Sequence, residues 1–253
     1  MTLDVYSGDN LDVLARFADA SFNLIYIDPP FNTGIEQKRE LNSESRSYND
    51  TFDDYEGFIK PRLEHAYRLL DATGSFFLHI DYREVHYVKV MLDKIFGRQN
   101  FINEIIWSYD YGGRSKTRWS TKHDNILWYA KDHKNYCFNY DEIDRIPYLA
   151  PTLVGDEKAQ RGKTPTDVWW NTIVHTGGAE KTGYPTQKPI SIIKRIVAVH
   201  SRPGDKLLDF FAGSGTFGAA ALELERDVVL VDQNPQAVEI MQKRFADVDA
   251  KFH

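Results

Sequence analysis

Four short apolar runs, each ending in a polar or glycine-rich turn, limit what this chain can fold into: "FNLIYID" at 22–28, "GSFFLHID" at 74–81, "DKLLDFFAG" at 205–213 and "DVVLVDQN" at 227–234. The runs are continuous and rich in β-branched and aromatic residues, as strands buried on both faces must be. Helical periodicity falls between or after them, over Glu56 to Leu70, Glu84 to Phe96, Pro189 to Val199, Ser214 to Glu223 and Pro235 to Phe245. Pro61 is expected to start or kink the first of these. Strands alternating with helices imply right-handed βαβ units and a mostly parallel sheet covered on both faces. The middle of the chain differs. "NEIIWSYD" (103–110) and "DNILWYAK" (124–131) read as two antiparallel strands at the sheet edge, joined by a basic loop, and 132–185 lacks strong periodicity. The expected architecture is one α/β domain over residues 1–253 with a loop-rich insertion at 108–185.

One stretch near the C-terminus has the form of a ligand site. "LLDFFAGSGTFGAAALELERDVVLVDQN" is a strand, a glycine loop, a helix, a second strand and an acid. Gly213 and Gly215 permit a tight turn and close approach of a ligand to the backbone. The following helix N-terminus favours a carboxylate or phosphate. Asp232 ends the next strand, where an acid can hydrogen-bond ribose hydroxyls. Gly213, Gly215 and Gly218 also satisfy G-x-G-x-x-G, so a dinucleotide site competes with a plain structural turn. Against the dinucleotide, Asp209 would repel a pyrophosphate but suit a cationic amino group, and only 38 residues follow Gly215. S-adenosylmethionine, with its adenosine, α-amino group and carboxylate, fits better.

Charge and cysteine usage narrow the partners. The net charge of −6 argues mildly against nucleic acid, yet the charges are segregated. Acids dominate 35–56, whereas Arg114, Lys116, Arg118, Lys122, Lys131 and Lys134 face only Asp124 and Asp132 across 112–134. A basic segment in an acidic chain is either a phosphate-contacting face or a solvated loop. Cys137 is the only cysteine, which excludes an internal disulfide or a Cys-based zinc site and points to a reducing cytosol. No apolar run approaches the roughly 20 residues of a membrane span, and "MTLDVYSGDN" lacks the features of a secretory signal.

"DPPF" at 28–31 followed much later by "FAGSG" at 211–215 resembles the β-group amino-methyltransferases of DNA, in which the catalytic motif precedes the cofactor motif. "SGDNLDVL" at 7–14, "TQKP" at 186–189 and the His123 to Leu127 pattern extend the resemblance over almost the whole chain. It implies a permuted Rossmann-like methyltransferase sheet, S-adenosylmethionine as cofactor, no metal, and methylation of an exocyclic amine on a base flipped out of duplex DNA. By that resemblance Asp28, Pro29, Pro30 and Phe31 form the catalytic motif. Asp28 and the Pro29 carbonyl accept the amine hydrogens, and Phe31 offers a stacking face. Asp209, Phe210, Ala212, Gly213, Ser214 and Gly215 match the cofactor loop, and Asp232 the ribose-binding acid. Thr186, Gln187 and Lys188 match the segment bordering the methionine end. Asp9 matches an acid near the adenine amine, with an N-cap for the helix beginning near Asn10 as the close second reading.

The acid at position 28, where N4-cytosine members usually carry serine, favours N6-adenine over N4-cytosine. Phe31 replaces the commoner tyrosine and keeps the stacking face. The loop "DYGGRSKTRWSTKHD" (110–124) mixes basic residues with Tyr111 and Trp119, so Arg114, Lys116, Arg118 and Lys122 are the expected DNA contacts. His123 reads as a structural hydrogen-bonder rather than a catalyst. Trp107, Trp128, Trp169 and Trp170 read as core. Residues 35–52 read as a mobile loop that closes over DNA or as plain surface. The resemblance allows a homodimer and a cognate restriction endonuclease as partners and a cytoplasmic location.

Overall fold

The computed structural model describes residues 1–35, 37–41, 44–48, 50–175, 178 and 180–253. In chain order its elements are β1 (Leu3–Ser7), α1 (Asn10–Leu14), β2 (Phe22–Ile27), β3 (Gln37–Leu41), β4 (Glu44–Tyr48), α2 (Tyr55–Leu69), β5 (Leu70–Ile80) and α3 (Val85–Leu92). Then follow β6 (Phe101–Ser108), β7 (His123–Ala130), α4 (Asp156–Arg161), β8 (Val168–Trp170), α5 (Ile190–His200), β9 (Lys206–Asp209), α6 (Thr216–Glu223), β10 (Asp227–Asp232), α7 (Pro235–Arg244) and β11 (Ala250–Phe252).

Among the described residues nine strands form one sheet in the order β11-β1-β10-β9-β2-β5-β7-β6-β8. Neighbours pair in parallel from β11 through β5; β7 alone runs against both β5 and β6, and β8 is again parallel to β6. The apolar runs pack as continuous burial demands: Leu24, Ile25, Ile27, Phe76, Phe77, Leu78, Leu207, Leu208, Val229 and Leu230 are all buried. One cluster fills the face under α2 and α3, with Ile59, Leu63, Leu69 and Val88. The other fills the face under α5 and α6, with Ile193, Ile196, Phe217 and Ala220.

Several expectations need correction. β6 and β7 are antiparallel, but β7 lies inside the sheet and the edge belongs to β8, which the 132–185 region contributes together with α4. Helix α2 runs through Pro61 rather than starting there. The proline falls seven residues into the helix, and the carbonyl its missing N–H would have met belongs to Gly57. Trp107, Trp128 and Trp169 are core, but Trp170 is 71% exposed, because alternation along β8 turns it away from Trp169. Within 35–52, strands β3 and β4 pair as an antiparallel hairpin. The rest of that expectation falls partly on residues 36, 42, 43 and 49, outside the described residues. No described helix is long and apolar enough to cross a membrane. No described group of three or more His, Cys, Asp or Glu residues could hold a metal ion.

The topology fixes where chemistry can occur. β2 and β9 come from opposite ends of the chain yet are sheet neighbours, with Leu24 opposite Leu207 and Ile25 opposite Leu208. The segments after their C-terminal ends therefore emerge side by side at a topological switch point, the usual ligand crevice of an open α/β sheet. β6 shares their direction, so the basic loop after Ser108 leaves from the same rim.

Candidate active site

At that rim lies a cleft of about 300 Å³. It gathers Asp28, Pro29, Pro30 and Phe31, then Thr186, Gln187 and Lys188, then Asp209, Phe210, Ala212, Gly213, Ser214 and Asp232. Motifs separated by about 180 residues thus line one cavity.

The turn after β2 is held from several sides. Asn32 takes a positive φ of 55°, a conformation asparagine tolerates. Its backbone N–H donates to Asp50 at 2.8 Å and its side-chain amide to Glu84 at 2.8 Å. The Tyr55 hydroxyl donates to the Pro30 carbonyl at 2.7 Å. Pro30's carbonyl is thus already engaged by a side chain. Phe31 lies beside the His79 ring, centroids 6.0 Å apart.

Across the cleft, Gly213 (φ 51°) donates its N–H to Asp232 at 2.7 Å, and a Cβ there would stand 3.1 Å from the Tyr184 ring. Burial pushes the Asp209 carboxyl well above the ordinary carboxylate range; the Phe211 N–H opposes this, and the negative charges of Asp28 and Asp232 add to it. Burial raises Asp232 as well, against hydrogen bonds from the Asn234 and Gly213 amides. Four aspartates, Asp28, Asp50, Asp209 and Asp232, line one cavity against two cations, Arg62 and Lys188, and the balance favours a ligand carrying positive charge.

Two expected residues, Asp9 and Gly215, are not among the cleft's lining, and two that are, Gln187 and Lys188, are engaged by neighbouring residues. Asp9 caps α1, accepting the Leu11 N–H at 2.8 Å, so the capping alternative is the one observed. Its neighbour Asn10 lines the cleft instead, donating to the Phe210 carbonyl and accepting from buried Arg62. Gly215 turns away from the cavity: it adopts φ 74° at the start of α6, and a Cβ would lie 2.9 Å from the Phe245 ring. Gln187 reaches the cleft, but its side chain staples its own loop, accepting from Thr182 and donating to the Glu180 carbonyl. Lys188 pairs with Asp28, its Nζ 2.8 Å from Oδ1.

Sequence reasoning missed Asn10, Tyr26, Arg62 and Tyr184 among the lining residues. Only Asn10 carried a signal, through its place beside Asp9. Behind the Asp28 turn, a buried chain of contacts also went unseen. The Tyr26 hydroxyl lies 2.9 Å from His79 Nδ1, His79 Nε2 lies 3.1 Å from Asp124, and the Tyr109 hydroxyl donates to Asp124 at 3.0 Å. Burial alone would raise Asp124; the hydrogen bond and charge of His79, the charge of Lys188 and the Tyr109 hydrogen bond outweigh it and hold the carboxyl below its usual value.

The four basic residues stand apart from this cleft. Arg114, Lys116 and Arg118 are exposed on the loop between β6 and β7. Arg114 pairs with Asp110, and Lys122 donates to the Tyr111 carbonyl. Arg118 and Lys122 line a second cavity with Arg83, Tyr109 and Asp124. Trp119, on the same loop, is 97% exposed.

Comparison with known proteins agrees with this geometry. A type II methyltransferase of Haemophilus parainfluenzae, M.HpaI, is 30% identical over 243 residues, covering 96% of this chain and 73% of its own. The DNA adenine methyltransferase YhdJ of Escherichia coli K12 is 29% identical over 259 residues, covering 95% and 81%. The M1.HpyAVI–SAM complex superposes with a TM-score of 0.67 at 21% identity, over 96% of this chain and 99% of that one. The family model described as DNA methylase matches residues 22–243, a span that holds both the Asp28 turn and the segment from Asp209 to Asp232. With its two motifs meeting in one cleft and that match running through both, the chain belongs to the DNA methylase family.

Proposed function

We propose that the protein transfers a methyl group from S-adenosylmethionine to the exocyclic N6 amine of an adenine flipped out of a specific duplex sequence. One observation carries this reading: a carboxylate, a stiff proline carbonyl and an aromatic ring open onto the same cleft as two buried acids and a glycine loop. When bound, the cofactor supplies an electrophilic methyl group. The chain's own residues do the rest. An exocyclic amine is a poor nucleophile because its lone pair is delocalised into the ring. Asp28 and the Pro29 carbonyl accept its two hydrogens and draw the nitrogen towards tetrahedral geometry, and Asp28 takes the proton that the nitrogen sheds. Phe31 offsets part of the unstacking cost. Tyr55, by fixing Pro30, preserves the near-attack geometry on which much of the acceleration depends. An acid at position 28, and the adenine specificity in the name of the E. coli relative, support adenine as the target base.

Transfer of labelled methyl to unmethylated genomic DNA, with mass spectrometry of the modified base, tests the reading. N6-methyladenine is the expected product. N4-methylcytosine would keep the cleft's chemistry and overturn the target base, and no transfer would overturn the function. Within the same reading the insertion over 108–185 recognises the target sequence, and the protein acts in the cytoplasm. A second copy of the chain and a cognate restriction endonuclease are its candidate partners; the mass in solution tests the first.

The cleft's acids set a pH dependence. Burial gives Asp209 and Asp232 raised values, so their ionisation weakens the fold as pH rises through those values. A cationic ligand favours the ionised forms. Cofactor binding is therefore expected to tighten with rising pH and to release protons, measured by calorimetry in buffers of different ionisation heat. Uptake of protons would contradict the assignment.

The rim loop gives a separate expectation. Trp119→Ala should weaken DNA binding about tenfold, within the ~1–3 kcal/mol of a base–aromatic stack, and leave cofactor affinity intact. Arg118→Ala should reduce the slope of log affinity against log salt by about one phosphate contact. Equal DNA affinities across salt for both variants and the parent would remove the loop from the interface.

A further inference from the structure

Lys188 comes closer to the catalytic turn than anything in the sequence indicates. Its Nζ stands 2.8 Å from Asp28 Oδ1, with the two side chains only 11% and 18% exposed. The same ammonium lies over the Phe31 ring, 4.6 Å from the centroid. The pair is an ion contact without hydrogen-bond geometry: Asp28 Oδ1 is shielded from solvent and has no hydrogen-bond partner among the described residues. A buried carboxylate oxygen is thus neutralised in charge but left unsatisfied as an acceptor, a condition that favours a better-directed donor.

Under the function proposed above, the target base must bring two things to this spot: an N–H aimed at Asp28 and a flat face laid on Phe31. Lys188 already brings a nitrogen cation to both, against Asp28 without a directed hydrogen bond and over the ring of Phe31. We infer that Lys188 is a resident stand-in for the target amine, competing with the base for Asp28 and Phe31 and withdrawing when the correct base is seated. An ammonium and a stacked base cannot occupy one face of a single phenyl ring together, so contact with that face requires displacement rather than sharing. The side chain is suited to this. Lysine is a compact point charge on a flexible four-carbon stem, and Lys188 precedes α5 at the end of the loop that Gln187 staples. Its charge is also felt at Asp124, so a second carboxylate lies within its field when it leaves the first.

The consequence is selectivity. While Lys188 holds the acceptor, a base that stacks poorly or presents no directed N–H gains too little to displace it. Lys188 thereby acts as a specificity-determining residue that raises the threshold for base capture, and it does not itself have to touch the reacting nitrogen.

The test compares two duplexes that carry the sequence methylated by the parent enzyme, one with the target adenine and one abasic at that position. The abasic duplex brings no base to compete with Lys188. Lys188→Met should therefore tighten binding of the adenine duplex by about tenfold relative to the abasic duplex, an effect of the size of a partly desolvated cation–π contact. Lys188→Arg, which keeps a cation in place, should retain the parent ratio. A Met variant whose ratio equals or falls below the parent's would overturn the inference. Lys188→Leu is measured alongside, so a folding failure in one variant leaves the other to decide. The parent's methyl transfer keeps the two levels apart. If the parent makes no N6-methyladenine, the proposed function fails; if it does and the ratio stays put, only the role of Lys188 fails.

Discussion

Asp28→Ala is expected to lower the single-turnover rate of methyl transfer by about 10²–10³, the usual loss when one preorganised polar group is removed from a reacting centre. Cofactor affinity should change far less, because Asp209, Gly213 and Asp232 stand at or after the ends of β9 and β10 rather than on the Asp28 turn. The variant loses the acceptor for one amine hydrogen and also leaves Lys188 without its partner in a largely buried site. Asp28→Asn keeps an acceptor oxygen but no charge, so its rate should fall between those of the parent and the alanine variant. Rapid-quench measurement with labelled cofactor, beside calorimetric titration of the cofactor alone, separates chemistry from binding. An alanine variant that transfers at the parent rate would remove Asp28 from the mechanism.

His79→Ala should be strongly destabilising although His79 lies outside the cleft's own lining. His79 is fully buried, contacts Tyr26 and Asp124 by hydrogen-bonding distances, and has Phe31 and Trp107 beside its ring. Its removal leaves a cavity and deprives a buried carboxylate of its main donor, together about 3 kcal/mol. For a domain of this size that is roughly a 6–12 °C drop in Tm, read by calorimetry or from the urea midpoint. The sign of its pH dependence follows from Asp124. A carboxyl held below its ordinary value stabilises the fold at neutral pH and loses that contribution as pH falls through its lowered value. The gap between parent and variant should therefore narrow in acid. A gap that is constant across pH would mean the loss is packing alone.

The parts of the fold that were legible are those where burial is continuous. "FNLIYI", the stretch "GSFFLHI" and "DVVLVD" are buried on both faces, so hydrophobicity marks them directly. β1 alternates instead, with Asp4 between buried Leu3 and Val5, and β8 and β11 have three residues each; such segments carry too little pattern to be read. Trp170 was misjudged because residue type says nothing about which side of a three-residue strand it faces. In the site, the motifs supplied the lining but not the contacts within it. That Gln187 would be consumed by Thr182 and Glu180 depends on how one loop closes. That Lys188 would meet Asp28 depends on β9 inserting beside β2, a tertiary fact that no local pattern encodes. Asn10 and Arg62 are similar: a polar pair 52 positions apart, joined beside the Phe210 carbonyl.

β1 and β11 lie next to each other, Leu3 opposite Ala250 and Val5 opposite Phe252. The order in which the two motifs are read along the chain is therefore separable from the architecture they build. Because these strands are parallel, joining residue 253 to residue 1 calls for a crossover of about a dozen residues or more. Opening the chain in the exposed loop between β6 and β7 would then yield a permutant in which the glycine loop is translated before the Asp28 turn. The cleft would be assembled from the same strand neighbours, since β2 and β9 meet through the sheet and not through the connection. Motif order is thus a property of the gene, and the switch point between β2 and β9 is a property of the enzyme.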